Sequence, residues 1–295
     1  MRKPAPAPPI DRNRRVSLVY GADEMKLACE NAGLAPYQIA ALSELCSRID
    51  LRDKRVLEVG GSNLPRALVF DVFSAAEWVS VDLIAEGRYQ LQQQSAHYER
   101  EGIADLSDAA RLMGASPYLI LNGAIEDAVT LPSEHFDVVV SITSLEHILA
   151  MPSALLQMRR VIKRDGCIFS YHGPIWSSYC GHHIWVDDEL NFNNPAAIPA
   201  FGHLLCRPPE MFASLEQRFG HQRSEQAVLQ MYHAPRINRL FYEDYVRFFE
   251  LAGFSSVEAT SYGRTQVPSR LQARLEMLHP GYRVFDAYGM IAVIR

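Results

Sequence analysis

The stretch Leu57-Glu58-Val59-Gly60-Gly61-Ser62-Asn63-Leu64-Pro65 decides how the rest of the chain is read. The run that leads into it, Arg55-Val-Leu-Glu-Val59, is short and β-branched, as buried strands are. Two glycines follow, and then Pro65, which suits the first turn of a helix. A glycine turn between a strand and a helix sits at the strand's carboxyl end, where open α/β sheets bind ligands. Gly60 and Gly61 let the backbone turn sharply and approach a ligand closely, and Ser62 or Asn63 is placed to cap the following helix. The same residues also make a tight turn with no ligand, so the motif needs support from elsewhere in the chain.

Outward from this turn, Trp78-Val-Ser-Val-Asp-Leu83, Tyr118-Leu-Ile-Leu121, Phe136-Asp-Val-Val-Val-Ser-Ile142 and Cys167-Ile-Phe-Ser-Tyr171 repeat the strand pattern. Their spacing leaves room for crossover helices, which implies an α/β fold: a doubly wound, mostly parallel sheet covered on both faces. Helices are expected over 36–49, 65–76, 88–113 and 146–161, the last stopped at Lys163-Arg-Asp-Gly166 with Gly166 as terminator. From 172 to 240 the regular spacing lapses and aromatics, histidines and prolines accumulate, with helix expected only around 209–219. So long an irregular stretch inside one domain reads as an insertion or lid. Order returns with a helix over 242–252, a strand over 255–260, a helix over 269–278 and a strand near 287–294. The expected organisation is a flexible tail over 1–15, N-terminal helices and the cofactor-binding half of the sheet over 16–171, an acceptor-binding insertion or lid over 172–240, and completion of the sheet over 241–295.

Composition narrows the function classes. The 295 residues carry 29 Lys and Arg against 34 Asp and Glu, a formal charge of -5, so the chain as a whole does not attract a phosphate backbone or an anionic membrane. No apolar stretch approaches the roughly 20 residues of a membrane span, and the proline-rich N-terminus lacks an apolar signal core. Neither nucleic acid nor membrane is expected as a partner. Cys29, Cys46, Cys167, Cys180 and Cys206 are odd in number and form no C-x-x-C pair, which fits a reducing cytoplasm better than a disulfide framework or a zinc ribbon.

Two acids sharpen the reading of the glycine turn. Asp82 ends the second strand, 24 residues after Glu58, near the spacing at which an acid receives ribose hydroxyls. The dinucleotide fingerprint G-x-G-x-x-G fails, because counting from Gly60 its later glycines fall at Ser62 and Pro65. A pyrophosphate would lose its backbone cradle, and Glu58 would repel phosphate while being able to hold an ammonium group. That disfavours an NAD-dependent dehydrogenase. A cofactor with ribose, adenine, an ammonium and no phosphate is S-adenosylmethionine.

At this point the sequence resembles the class I S-adenosylmethionine-dependent methyltransferases of the small-molecule type. Their first motif reads roughly E/D-x-G-x-G-x-G and appears here as Glu58-Val-Gly-Gly-Ser-Asn63. Gly123-Ala-Ile-Glu-Asp127 with Leu131-Pro132, Phe136-Asp-Val-Val-Val-Ser141, Leu145-Glu-His-Ile148 and Arg160-Val-Ile-Lys-Arg-Asp-Gly166 follow the family's later motifs in order. The likeness covers about residues 36 to 171. It implies a seven-stranded Rossmann-like sheet whose last strand inserts antiparallel, and a methyl donor bound at its edge. The implied donor contacts are Gly60, Gly61 and Ser62 on the methionine chain, Asp82 on the ribose, Ala124, Ile125 and Glu126 at the adenine, and Ser141 from the end of the fourth strand. Two positions depart from the family pattern: Ser62 replaces a glycine, and Ala124 replaces the acid for the adenine amine, with Glu126 two residues on. A catalytically silent adenosine-ligand-binding or scaffold protein would keep the same sheet and stays open as the alternative.

Methyl transfer from a sulfonium is an in-line displacement, so the protein mainly excludes water and aligns the reacting atoms. A hydroxyl acceptor also needs a general base, usually histidine. Histidines gather after the fourth and fifth strands, which makes His147, His172 and His183 the candidate catalytic residues and a small-molecule hydroxyl the expected acceptor. Each is also readable as a structural, internally bonded histidine. The pair Glu146-His147 resembles part of a metal signature of ubiquinone-pathway O-methyltransferases, yet three residues earlier stands Thr143. Cys180, His182, His183, His203 and Cys206 match no structural zinc spacing, so no metal is expected. Tyr232, His233, Arg236, Asn238 and Arg239 read as a solvated loop or an acceptor contact.

Overall fold

A computed structural model describes residues 22–60, 64–84 and 102–295. Its strands are β1 (Arg55–Val59), β2 (Glu77–Asp82), β3 (Ala104–Asp105), β4 (Tyr118–Asn122), β5 (Phe136–Ile142), β6 (Ile162–His172), β7 (Val257–Tyr262) and β8 (Gly289–Ile294). They form one sheet in the order β3-β4-β2-β1-β5-β6-β8-β7. β8 runs antiparallel between β6 and β7, and the other neighbours pair in parallel. The sheet is one strand wider than expected, because Ala104 and Asp105 pair with Leu121 and Asn122 at its edge.

The longer helices are α1 (Ala22–Asn31), α2 (Pro36–Arg48), α3 (Met151–Val161), α4 (Pro208–Phe219), α5 (His221–Tyr232), α6 (Tyr242–Leu251) and α7 (Ser269–Leu278). Helices on both faces explain why β1 and β5 are buried at nearly every position. Val56, Val138 and Val140 join Leu42 and Leu45 of α2 in one core, while Leu57 and Val139 join Leu155 of α3 and Phe249 of α6 in the other. A third core, with Trp176, Ile184, Phe201, Met231 and Phe241, lies largely within the segment after β6 and takes in Leu275 of α7 and Phe285.

Several expected helices come out differently. The one over 65–76 is shorter, spanning 66–72, and widens into a π-helical turn at Leu68–Val72, closed by the Phe73 N–H on the Leu68 carbonyl at 3.1 Å. Of the one over 88–113, residues 88–101 lie outside the described residues. The rest is β3 followed by short turns at Leu106–Asp108 and Ala109–Leu112. The helix expected from 146 starts at Met151, with a separate 3-10 turn at Leu145–His147. Gly166 is no helix terminator either. Ile162 already pairs with Phe136, and Cys167 with Val138, so 163–166 bulge out within β6. A Cβ on Gly166 would lie 2.6 Å from Cγ1 of Ile162 and 2.8 Å from the Asp137 carbonyl. The insertion holds more helix than expected. α5 escapes notice because its buried stripe, Ser224, Ala227, Val228 and Met231, is set in a mostly polar sequence. Among the described residues no helix is long and apolar enough to cross a membrane.

Candidate active site

The strand order reverses between β1 and β5, and ligands of open α/β sheets bind at the carboxyl ends on either side of such a reversal. Gly60 stands there at φ +70°, its N–H donating to the Val81 carbonyl at 2.8 Å. A Cβ on Gly60 would lie 2.6 Å from both Cβ and Oγ of Ser144, so conformation and space each exclude a side chain. Gly61 and Ser62, with Asn63, lie outside the described residues. Opposite, Thr143 leaves β5 at φ +49°, a conformation a β-branched residue rarely adopts, and its N–H donates to the Tyr171 carbonyl at 2.7 Å. That bend sets Ser144 against Gly60.

Glu58 is 1% exposed and bonds mostly to the protein itself. Its Oε2 accepts from Trp78 Nε1–H at 2.8 Å, from the Ser80 hydroxyl at 2.8 Å and from the Leu64 N–H at 3.2 Å. Leu64 lies beyond the glycine turn, so the carboxyl ties the exit of the turn back to its entry. Oε1 is buried with no hydrogen-bond partner. Burial outweighs the three hydrogen bonds and pushes the carboxyl up to about 7, with the charge of Asp82 adding to the rise.

Asp82 ends β2 half-buried, in register with Asn122 at the end of β4. Its backbone carbonyl accepts the Gly123 N–H at 2.9 Å. Ala124 then opens the 3-10 turn Ile125–Asp127; the Ile125 side chain enters the core and Glu126 stays half-buried. Gly60, Asp82 and residues 124–126 therefore stand at the ends of three neighbouring strands. Ser141 is fully buried, and its hydroxyl donates to the Val59 carbonyl at 3.0 Å, which stitches β5 to β1.

The three candidate histidines part company. His147 is exposed on the turn Leu145–His147, its N–H donating to the Ser144 carbonyl at 2.9 Å. Its Nδ1 lies 2.6 Å from the Arg236 carbonyl. A carbonyl only accepts, so Nδ1 carries the proton and Nε2 of the neutral ring is the proton acceptor. The His183 ring meets His147 edge-on at 5.1 Å and stacks on Phe192 at 5.5 Å. His183 Nε2 donates to the Pro174 carbonyl, and burial, helped by His147, lowers its pKa to about 3. His172 is fully buried against the Tyr245 ring at 4.5 Å, with neither ring nitrogen hydrogen-bonded, and burial lowers its pKa to about 3.

Asn238 is the residue that sequence reasoning underrated. Its Nδ2 donates to the carbonyls of Leu145 at 2.7 Å and Ile148 at 3.1 Å, and its N–H to that of Glu146 at 2.9 Å. Its Oδ1 accepts from the Tyr245 hydroxyl at 2.9 Å. One asparagine thus pins the turn that carries Glu146 and His147, from about 90 residues away in the chain. No local pattern signals such a contact. Arg239 is taken up by the carbonyls of Met231 and Ala234. His203 Nε2 donates to the Trp176 carbonyl at 2.8 Å, and no three His, Cys, Asp or Glu among the described residues are grouped to hold a metal ion.

Comparison with known proteins bears on residues 57–170, where the sequence matches the family described as methyltransferase domain. That span runs from β1 through most of β6 and contains the glycine turn, Asp82, residues 124–126, Ser141 and His147. No curated protein matches the chain. Similar solved structures include an S-adenosylmethionine-dependent methyltransferase from Mesorhizobium loti, at 10% identity and TM-score 0.49 over 88% of this chain and 99% of that one. Another, a SAM-dependent methyltransferase from Archaeoglobus fulgidus, aligns at 12% identity and TM-score 0.46 over 91% and 97%.

Proposed function

We propose that the chain is an S-adenosylmethionine-dependent methyltransferase that methylates a hydroxyl oxygen of a small-molecule acceptor. One observation carries the proposal. A single turn presses Ser144 against Gly60 and, three residues later, presents His147 with its Nδ1 proton held by the Arg236 carbonyl.

The crevice suits such a donor: Gly60 makes a cradle that a Cβ would fill, and Glu58 keeps an orphaned carboxyl oxygen at the strand that leads into it. Gly60, with Gly61 and Ser62 of the same turn, would hold the methionine chain. Asp82 would take the ribose, and the backbone of 124–126 with Glu126 the adenine. Glu58 and Ser141 support the floor, through Trp78, Ser80 and Leu64 in one case and the Val59 carbonyl in the other. When bound, S-adenosylmethionine supplies an electrophilic methyl group on a sulfonium.

His147 takes the acceptor's hydroxyl proton at Nε2 as the oxygen attacks. The Arg236 carbonyl keeps the ring oriented and stabilises the imidazolium that results. His183, held neutral beside it, adds no competing positive charge. His172 serves as packing under Tyr245. The segment over 172–240, with a core largely its own, walls the acceptor and excludes water, between the cofactor half over 16–171 and the closing strands over 241–295. The net charge of -5 favours a small molecule over nucleic acid, and five free cysteines support a cytoplasmic setting.

The test is incubation of the full chain with methyl-labelled donor and fractionated small metabolites of its own cell, with the product read by NMR. The expected label is an O-methyl group, lost when His147→Gln replaces the enzyme. A label on nitrogen or carbon overturns the hydroxyl reading.

A further inference from the structure

Beside His147, the Glu146 side chain is 1% exposed. Its Oε1 accepts the Gly173 N–H at 3.1 Å, and its Oε2 is buried with no hydrogen-bond partner. Among the described residues no lysine or arginine forms an ion pair with it. Next to Gly173, where a Cβ would lie 2.9 Å from the Tyr262 hydroxyl, begins a chain of tyrosine rings. Tyr171 stacks on Tyr262 at 4.2 Å, Tyr262 meets Tyr288 at 5.8 Å, and Tyr288 meets Tyr179 at 6.2 Å. Tyr179, Tyr262 and Tyr288 keep part of their surface exposed. The chain runs from the end of β6 to the start of the insertion, beside the turn that touches Gly60.

We infer that this wall is the acceptor subsite, and that it takes an uncharged, hydroxyl-rich ring such as a pyranose or a cyclitol, anchored through one hydroxyl on Glu146. The inference rests on the hydroxyl-acceptor reading and deepens it. A purely apolar ring would cover the tyrosines but leave the Glu146 oxygen unpaired, which is costly in a buried site. A cation would need an ionised counter-charge, whereas burial raises Glu146 and the phenols of Tyr262 and Tyr288 above their ordinary ranges, favouring their neutral forms. A hydroxylated ring satisfies both features, with its C–H face on the tyrosines and a hydroxyl on the carboxyl. Because Glu146 and His147 are consecutive on one turn, the hydroxyl that anchors and the hydroxyl that reacts would be near neighbours on the ring.

Saturation-transfer NMR on the full chain with S-adenosylhomocysteine tests this, using methyl α-D-glucopyranoside, methyl α-D-mannopyranoside and myo-inositol as probes and choline as the cationic counterpart. The expected result is saturation of ring C–H protons of the hydroxylated probes and none of choline. Tyr288→Ala and Glu146→Ala should each cut the signal at least about fivefold while S-adenosylhomocysteine still binds, which shows that the fold survives. Saturation of choline alone, of none of the probes, or of the hydroxylated probes undiminished in both variants overturns the subsite. An O-methyl product from the labelled-donor experiment alongside any of those outcomes would leave the hydroxyl reading standing and sink only the subsite.

Discussion

Gly60 and Ser144 meet so closely that the end of β1 and the turn after β5 form one surface: a Cβ on Gly60 would lie 2.6 Å from two side-chain atoms of Ser144. Whatever Gly60 contacts is thereby placed within a few residues of Glu146 and His147. The bend that allows it is the left-handed Thr143, the kind of backbone strain that gathers at functional sites.

Gly60→Ala therefore meets two penalties, about 1–2 kcal/mol for an L-residue at positive φ and a steric clash with Ser144. We expect S-adenosylhomocysteine affinity to fall about tenfold or more by calorimetric titration. The pair Gly60→Ala with Ser144→Gly should recover part of the loss, since it removes the clash and leaves only the backbone term.

Asp82→Ala should weaken the same ligand by about tenfold or more, the scale of a hydrogen bond to a charged group. The Gly123 N–H bonds to the backbone carbonyl of Asp82, a contact the substitution leaves in place, and the melting temperature of the variant, measured alongside, separates an effect on the fold from one on binding. Unchanged affinity would remove Asp82 from the site.

Glu58 makes stability depend on pH. Its carboxyl rises from 4.5 to about 7 in the folded chain, so the folded state keeps a proton that the unfolded chain has already released. The contribution is complete below the unfolded value and is lost as pH rises through the folded one. Glu58→Gln cannot titrate. Chemical denaturation at about pH 5 and about pH 8 should show the variant gaining stability relative to the parent at the higher pH. A difference that does not change with pH contradicts a buried, titrating Glu58.

His147→Gln should lower kcat by about 10²–10⁴ with S-adenosylhomocysteine affinity unchanged. Asn238→Ala should lower kcat less, because it loosens the turn at Leu145, Glu146 and Ile148 without removing the ring. Equal kcat in His147→Gln and the parent would take the base role from His147.

The centre of the sheet was legible in the sequence because β1, β2, β5 and β8 are buried on both faces. Runs such as Phe136-Asp-Val-Val-Val-Ser-Ile142 are rich in β-branched residues, and the glycine turn marks the carboxyl end of β1. The insertion was less legible, since α5 buries only a narrow stripe set in a mostly polar sequence. The placing of Gly60 and Asp82 at strand ends could be read from spacing. The inward bonding of Glu58 could not, because it depends on Trp78 and Ser80 facing the same side of the neighbouring strand. Nor could the pairing of His147 with His183 but not His172, which follows from His172 pointing under Tyr245 at the last residue of β6.

The most direct measurement is a calorimetric titration of the full chain with S-adenosylhomocysteine and, separately, with NAD. Saturable one-to-one binding of the first and no heat from the second is the predicted outcome. Binding of NAD without binding of S-adenosylhomocysteine would contradict the reading of the crevice formed by Glu58, Gly60 and Asp82.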